Sequence, residues 1–213
     1  MTAFVPQGLP VPVADTLNSA LAAHPDLFAP APSAEAADVQ VTLSTSAALR
    51  TSPDPDATLL AEWVYAVTAP FPTLTDEVAW ADVGSSWSGT PAGPFAGQPL
   101  LMTADVAATL AAIMGEPAPG AVEVVPADQI VQRAWDTRPA WAVVPFDQLD
   151  PRWKVLRVDG VSVLDKGMDT GTYPLVVRVG VTGLERGVAK LQEVMGTPLA
   201  NRDPAKMTVV VMT

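Results

Sequence analysis

Apolar residues recur along the chain in short blocks separated by Pro- and Gly-rich breaks, and their period changes from block to block. Ala3 to Pro6 has strand character, Gln7-Gly8-Leu9-Pro10 reads as a turn, and Val13, Leu17, Ala20 and Leu21 then fall on one face of a helix. After the Pro/Ala stretch Pro30 to Ala37, the segment Asp38-Val39-Gln40-Val41-Thr42-Leu43 alternates as a half-buried strand and ends in the polar cluster Ser44-Thr45-Ser46. Leu59 to Ala69 (LLAEWVYAVTA) is apolar enough for burial on both faces, and Pro70-Phe71-Pro72 stops it. Thr75 with Asp76-Glu77 predicts a capped helix start leading through Trp80 and Val83 to Trp87.

The second half continues the alternation. Pro99 to Met102 reads as a strand, Thr103 caps a helix that runs through Ile113 to Gly115, Ala121 to Val125 is a strand, and Pro126-Ala127-Asp128 opens a helix to Trp135. Strands follow at Trp141 to Val144, Trp153 to Val158 and Leu175 to Val181, then a helix from Leu184 to Met195. Strands and helices alternating at this length indicate an α/β fold with mainly parallel sheets flanked by helices. No internal sequence repeat is present.

Composition narrows the function classes. The 213 residues are 49% hydrophobic and 16% charged, which fits a folded core, and 22 Pro call for short elements joined by rigid turns. Net charge is −11 with no basic run, so nucleic acid and anionic membrane surfaces are poor partners. There is no Cys, which excludes disulfides, thiolate metal sites and a thiol nucleophile. No apolar run approaches the ~20 residues of a membrane span, and Met1 to Pro12 lacks the features of a signal peptide. The β-branched run Met207 to Thr213 has strand character, and an excised domain without its leader is expected.

Three segments, in order, resemble the type 2 periplasmic (solute-)binding proteins. They are Asp38 to Thr45, Val78 to Gly89, and Val155 to Gly160 together with Tyr173-Pro174-Leu175. The resemblance implies a two-lobed α/β domain over 1–206, with lobe 1 at about 1–68 and 148–206, lobe 2 at about 69–147, and Leu59 to Ala69 crossing between them. Ala3 to Pro6 and Leu175 to Val181 would then share a sheet separate from Ala121 to Val125. Trp141 to Phe146, Leu149 to Leu156 and Asn201 to Thr208 resemble the N-terminal region of CapA-type poly-γ-glutamate capsule synthesis proteins. That likeness implies an extracytoplasmic place beside a downstream phosphoesterase-like domain, with 207–213 its first strand or a C-terminal tail.

Ligand contacts are expected on loops that follow parallel strands, where helix N-termini leave donors pointing outward. The candidates are Gln7, Gly8, Ser44, Thr45, Ser46, Thr103, Asp105, Phe146 and Asp147. For the Ser44 to Ser46 cluster ordinary turn bonding is an equal alternative, and for Thr103 a simple helix cap is favoured. Phosphate binders carry Ser-Gly-Thr where this chain has Met102-Thr103-Ala104-Asp105. Asp105 would repel an anion, so a neutral or amine-bearing ligand is expected. His24, the only histidine, sits at a helix end rather than in a triad. Asp54 with Asp56, Asp165 with Asp169, and Asp169-Thr170-Gly171 all read as turns. Trp63 and Trp141 are assigned to the core, Trp87 is left open, and Trp153 is expected half exposed. The reading is a non-catalytic module that binds a small molecule or an envelope polymer, with no cofactor and no metal. The alternatives are an accessory part of a CapA-like hydrolase and a structural spacer.

Overall fold

The computed structural model describes residues 1–45 and 57–207, so Ser46, the Asp54 and Asp56 pair and the run from Thr208 onward lie outside the described residues. Two units of similar geometry build the sheet. In the first, β1 (Thr2–Phe4) lies parallel to both β2 (Ala29–Pro30) and β3 (Val39–Thr45), with helix α1 (Val11–Ala23) between β1 and β2. In the second, β6 (Leu100–Met102) lies parallel to both β7 (Val122–Val124) and β8 (Trp141–Pro145), joined by α3 (Ala104–Met114) and α4 (Ile130–Asp136).

The 13-residue β4 (Thr58–Pro70) joins the two units. Its first half pairs antiparallel with β11 (Val176–Gly183), which in turn pairs antiparallel with β3. Its second half pairs antiparallel with β8 through Tyr65 to Thr68, and with β9 (Trp153–Val155) through Thr68 to Pro70. A two-residue strand, β12 (Leu199–Ala200), lies parallel to the first half at Ala61 and Glu62. From Trp63 to Ala69 every residue of β4 is buried, as an apolar run serving two half-sheets requires. Helix α5 (Glu185–Met195) packs on the first half-sheet, where Gly187 lets it approach Val39.

Three expectations are corrected. The ladder is continuous, in the order β2-β1-β3-β11-β4-β8-β6-β7, because one strand is long enough to serve both halves; β1 and β11 still lie on the opposite side of β4 from β7. Among the described residues most strand pairings are parallel, as expected, and the central pairings of β3, β11, β4 and β8 are antiparallel. Trp153 to Val158, expected as one strand, divides into β9, which pairs with the second half of β4, and β10 (Arg157–Val158).

The third concerns Thr75 to Glu77, which do not start a helix. Glu77–Val78 forms β5, parallel to β10, and helix α2 starts later at Trp80–Trp87. Lys154 Nζ reaches both the Thr73 carbonyl at 2.7 Å and the Asp76 carboxylate at 2.6 Å, and Arg157 N–H donates to the Asp76 carbonyl. Those long-range partners hold the segment extended and outweigh its local capping tendency.

Candidate ligand-binding site

Strand register brings distant residues to one point on β4. Thr45, the last residue of β3, lies opposite Val177, and Val177 lies opposite Trp63; Pro145, the last residue of β8, lies opposite Tyr65. The carboxyl ends of the two units therefore converge on Trp63 to Tyr65, where β4 changes partners. Thr45 and Pro145 end their strands on opposite sides of this junction, with β11 and β4 between them, so Ser44 and Thr45 lie on its first-unit side and Phe146 and Asp147 follow the strand end on its second-unit side.

On the first-unit side, Ser44, Arg178 and Glu62 form one row across β3, β11 and β4. Arg178 Nε donates to Glu62 Oε2 at 3.1 Å, and Thr170 Oγ1 donates to the same oxygen at 3.0 Å. Both charged side chains are about three-quarters buried, with 25% and 22% of their surface exposed, so each needs the other as a partner. On the second-unit side, Tyr65 is buried beside the Thr109 hydroxyl and within electrostatic reach of Asp105 and Asp147. Burial raises its phenol above the ordinary range; Thr109 opposes the shift and the two carboxylates add to it.

The chain closes the junction with its own segment. Asn201 acts as an extra strand residue: Val64 N–H donates to its Oδ1 at 2.8 Å, while its Nδ2 donates to the Val64 carbonyl at 2.9 Å and to Asp147 Oδ1 at 3.1 Å. Arg202 lies 5.7 Å above the Phe146 ring and donates to the carbonyls of Val163 and Asp165. Burial lowers its pKa while Asp165 and Glu62 oppose that. Among the described residues, Arg178 and Arg202 near the junction are thus committed to internal acceptors, and Asp147 there is exposed.

Gln7 and Gly8 follow β1 and border a groove of about 620 Å³ along α3, with Ala107, Ala108, Ala111 and Ala112 as the facing wall. Gly8 has φ +81°, and a Cβ there would meet Ala112 Cβ at 2.6 Å and the Ala108 carbonyl at 3.0 Å. Glycine is required for this close approach as well as for the left-handed backbone. Helix α3 links the two regions, since Asp105 and Thr109 lie by Tyr65 while Ala108 and Ala112 lie by Gly8.

Thr103 departs from the group. It occupies the N-cap position of α3, yet its hydroxyl makes no cap bond, which corrects the reading as a simple cap. Trp153 is buried at 6% exposure, against the expectation of a half-exposed ring, and Trp87 is buried with its indole N–H on the Gly115 carbonyl at 2.9 Å. Trp63 and Trp141 are core residues. Asp169-Thr170-Gly171 forms a turn closed by the Gly171 N–H on Asp169 Oδ1.

Sequence reasoning missed Glu62, Arg178, Tyr65, Thr170 and Asn201. Two of them carried a signal: Glu62 is the single charge inside LLAEWVYAVTA and Arg178 the single charge inside VVRVGV, and charges in buried strands demand partners. Among the described residues, no group of three or more His, Cys, Asp or Glu side chains is placed to hold a metal, and no helix is long and apolar enough to cross a membrane.

No family model matches the sequence, and no curated protein matches it. Solved structures do match its fold. An ABC-type phosphate transport receptor from Vibrio cholerae superposes with TM-score 0.63 at 12% identity, covering 92% of this chain and 93% of the other. A possible phosphate binding protein from Planctomyces limnophilus gives 0.60 at 12% identity, covering 92% and 86%. PstS from Borrelia burgdorferi gives 0.56 at 7% identity, covering 91% of each chain. At these identities the likeness concerns the fold alone, and it agrees with the two half-sheets that share one crossing strand: the chain has the two-lobed α/β fold of the type 2 periplasmic binding proteins.

Proposed function

We propose that this protein is a non-catalytic, extracytoplasmic ligand-binding module whose ligand sits where β4 changes partners, between a first lobe built on β1, β3 and β11 and a second built on β6, β8 and β9. The convergence of both units' strand ends on Trp63 to Tyr65 carries this reading, since ligands of open α/β sheets bind outside the carboxyl ends of the strands. The binding proteins and transport receptor that share the fold support a binding role and an extracytoplasmic setting. Contacts are assigned to Gln7, Gly8, Ser44, Thr45, Asp105 and Asp147.

Two observations favour a neutral or amine-bearing ligand over phosphate. Arg178 and Arg202 are held by Glu62 and by backbone carbonyls, and the second-lobe wall carries Asp105 and Asp147. Among the described residues, an anion placed there would face carboxylates without a free guanidinium. A role in capsule or poly-γ-glutamate metabolism, beside a phosphoesterase-like domain, is supported by the segments Trp141 to Phe146 and Leu149 to Leu156. In a thermal-shift screen of sugars, amino acids, γ-glutamyl oligomers and oxyanions, a neutral or amine-bearing compound is expected to raise the melting temperature, because a ligand of the native state alone must do so. A shift by phosphate or sulfate alone would overturn the ligand class.

A further inference from the structure

The chain passes between the lobes along β4 and returns through the stretch between β10 and β11, and side chains near its end add a further connection. Beyond β12, which lies parallel to β4 at Ala61 and Glu62, the backbone runs on in step with β4 toward the point where β4 changes partners. Asn201 takes both backbone groups of Val64 there and reaches past them to Asp147 Oδ1 at 3.1 Å. Arg202 is anchored on the carbonyls of Val163 and Asp165, and its guanidinium lies 5.7 Å from the centre of the Phe146 ring. Phe146 and Asp147 follow β8 and belong to the second lobe, whereas β12 is carried on the first half of β4. The end of the chain thus grips the other lobe through one hydrogen bond to a carboxylate and one cation over a ring.

These contacts are built to break without unfolding either lobe. Asp147 is exposed and Phe146 half-buried, so releasing them uncovers little of the core. The bonds of Asn201 to Val64 and of Arg202 to the two carbonyls do not depend on Phe146 or Asp147, and they keep the end of the chain in place after release. The close approach of Gly8 to Ala108 and Ala112 also joins the lobes, but it is packing of small groups and fixes no particular angle. We propose that Asn201 and Arg202 form a strap that holds the lobes closed: with Phe146 and Asp147 gripped the lobes keep one arrangement, and with them released the second lobe turns away about β4 between Val64 and Tyr65. If the junction binds a ligand, as proposed above, the strap also limits how far that site opens.

The chain has no Cys, so spin labels go only where they are placed, through Asp15→Cys on α1 and Gln132→Cys on α4, both exposed. The distance between them is read by double electron–electron resonance without any ligand, and the result decides the strap whether or not the junction binds one. In the doubly labelled parent one narrow distance is expected. Asp147→Ala cuts one grip of the strap, and Asp147→Ala with Phe146→Ala cuts both. Each is expected to add a population displaced by more than about 2 Å, and the pair to add more of it. Asp147→Asn, which keeps an acceptor for Asn201, and Gln148→Ala, beside the strap, are expected to retain the single distance. The parent distance unaltered in both cut variants would overturn the proposal, as would a broad distribution already present in the parent or an equal change in Gln148→Ala. Should the pair lose its cooperative melting transition, Asp147→Ala alone decides, because its exposed side chain carries no core packing.

Discussion

Glu62 and Arg178 show how a charge survives in a buried strand. Each is the partner that justifies the other, and Thr170 adds a second bond to Glu62 from the turn that the Asp169-Thr170-Gly171 tripeptide forms. Glu62→Gln leaves the guanidinium without its counter-charge and is expected to lower unfolding free energy by about 1–3 kcal/mol in urea denaturation. Replacing both residues, Glu62→Leu with Arg178→Met, is expected to recover much of that loss. A change of under about 0.5 kcal/mol for Glu62→Gln would show that the pair is solvated like a surface contact. Gly8→Ala is expected to cost about 1–3 kcal/mol by the same measurement, because its Cβ would strike Ala112 and its φ of +81° suits glycine. The lone charges were readable in the sequence as anomalies. Their pairing was not, because Glu62 and Arg178 are joined only by a register set across a sequence separation of 116.

At the scale of elements, local signals were reliable wherever an apolar period stood alone. The helices at Val11–Ala23 and Glu185–Met195 and the strands around Val39–Thr45 and Trp141–Pro145 follow their patterns closely. Signals failed where a long-range partner competed. Asp76 could have capped a helix, but Lys154 holds its carboxyl below the ordinary range and the segment pairs as β5 instead. Asp38 similarly ties β3 to β1, accepting the Thr2 N–H at 2.7 Å, and that bond lowers its pKa. Asp150 is held at about 2 by Arg152. A carboxyl whose folded pKa is depressed stabilises the fold above its unfolded pKa, and that stability is lost as pH falls through the folded value. The melting temperature is therefore expected to hold from pH 7 to about pH 5 and to fall between about pH 4 and pH 2. Asp38→Asn is expected to flatten that acid limb in differential scanning calorimetry. An unchanged melting temperature down to pH 2 would contradict this assignment of the carboxylates.

At the scale of the molecule, the two-lobed plan was legible as an order of elements and as one long apolar strand, and the solved structures that share the fold agree with that plan. The likeness between its two units was not legible, because a parallel three-strand unit needs only buried apolar positions, which Val39 to Val41 and Leu100 to Met102 satisfy with different residues. The junction itself is a product of register, and Tyr65 and Asn201 belong to it only because β4 changes partners between Val64 and Tyr65. The most direct measurement is isothermal titration calorimetry of the best neutral or amine-bearing compound from the thermal screen, against the protein and against Ser44→Ala with Asp105→Ala. Binding at one site per chain is expected, weakened at least about tenfold in the double variant by the loss of one or two polar contacts. Equal affinity in the double variant, or heat only from phosphate or sulfate, would contradict a ligand site at the junction on β4.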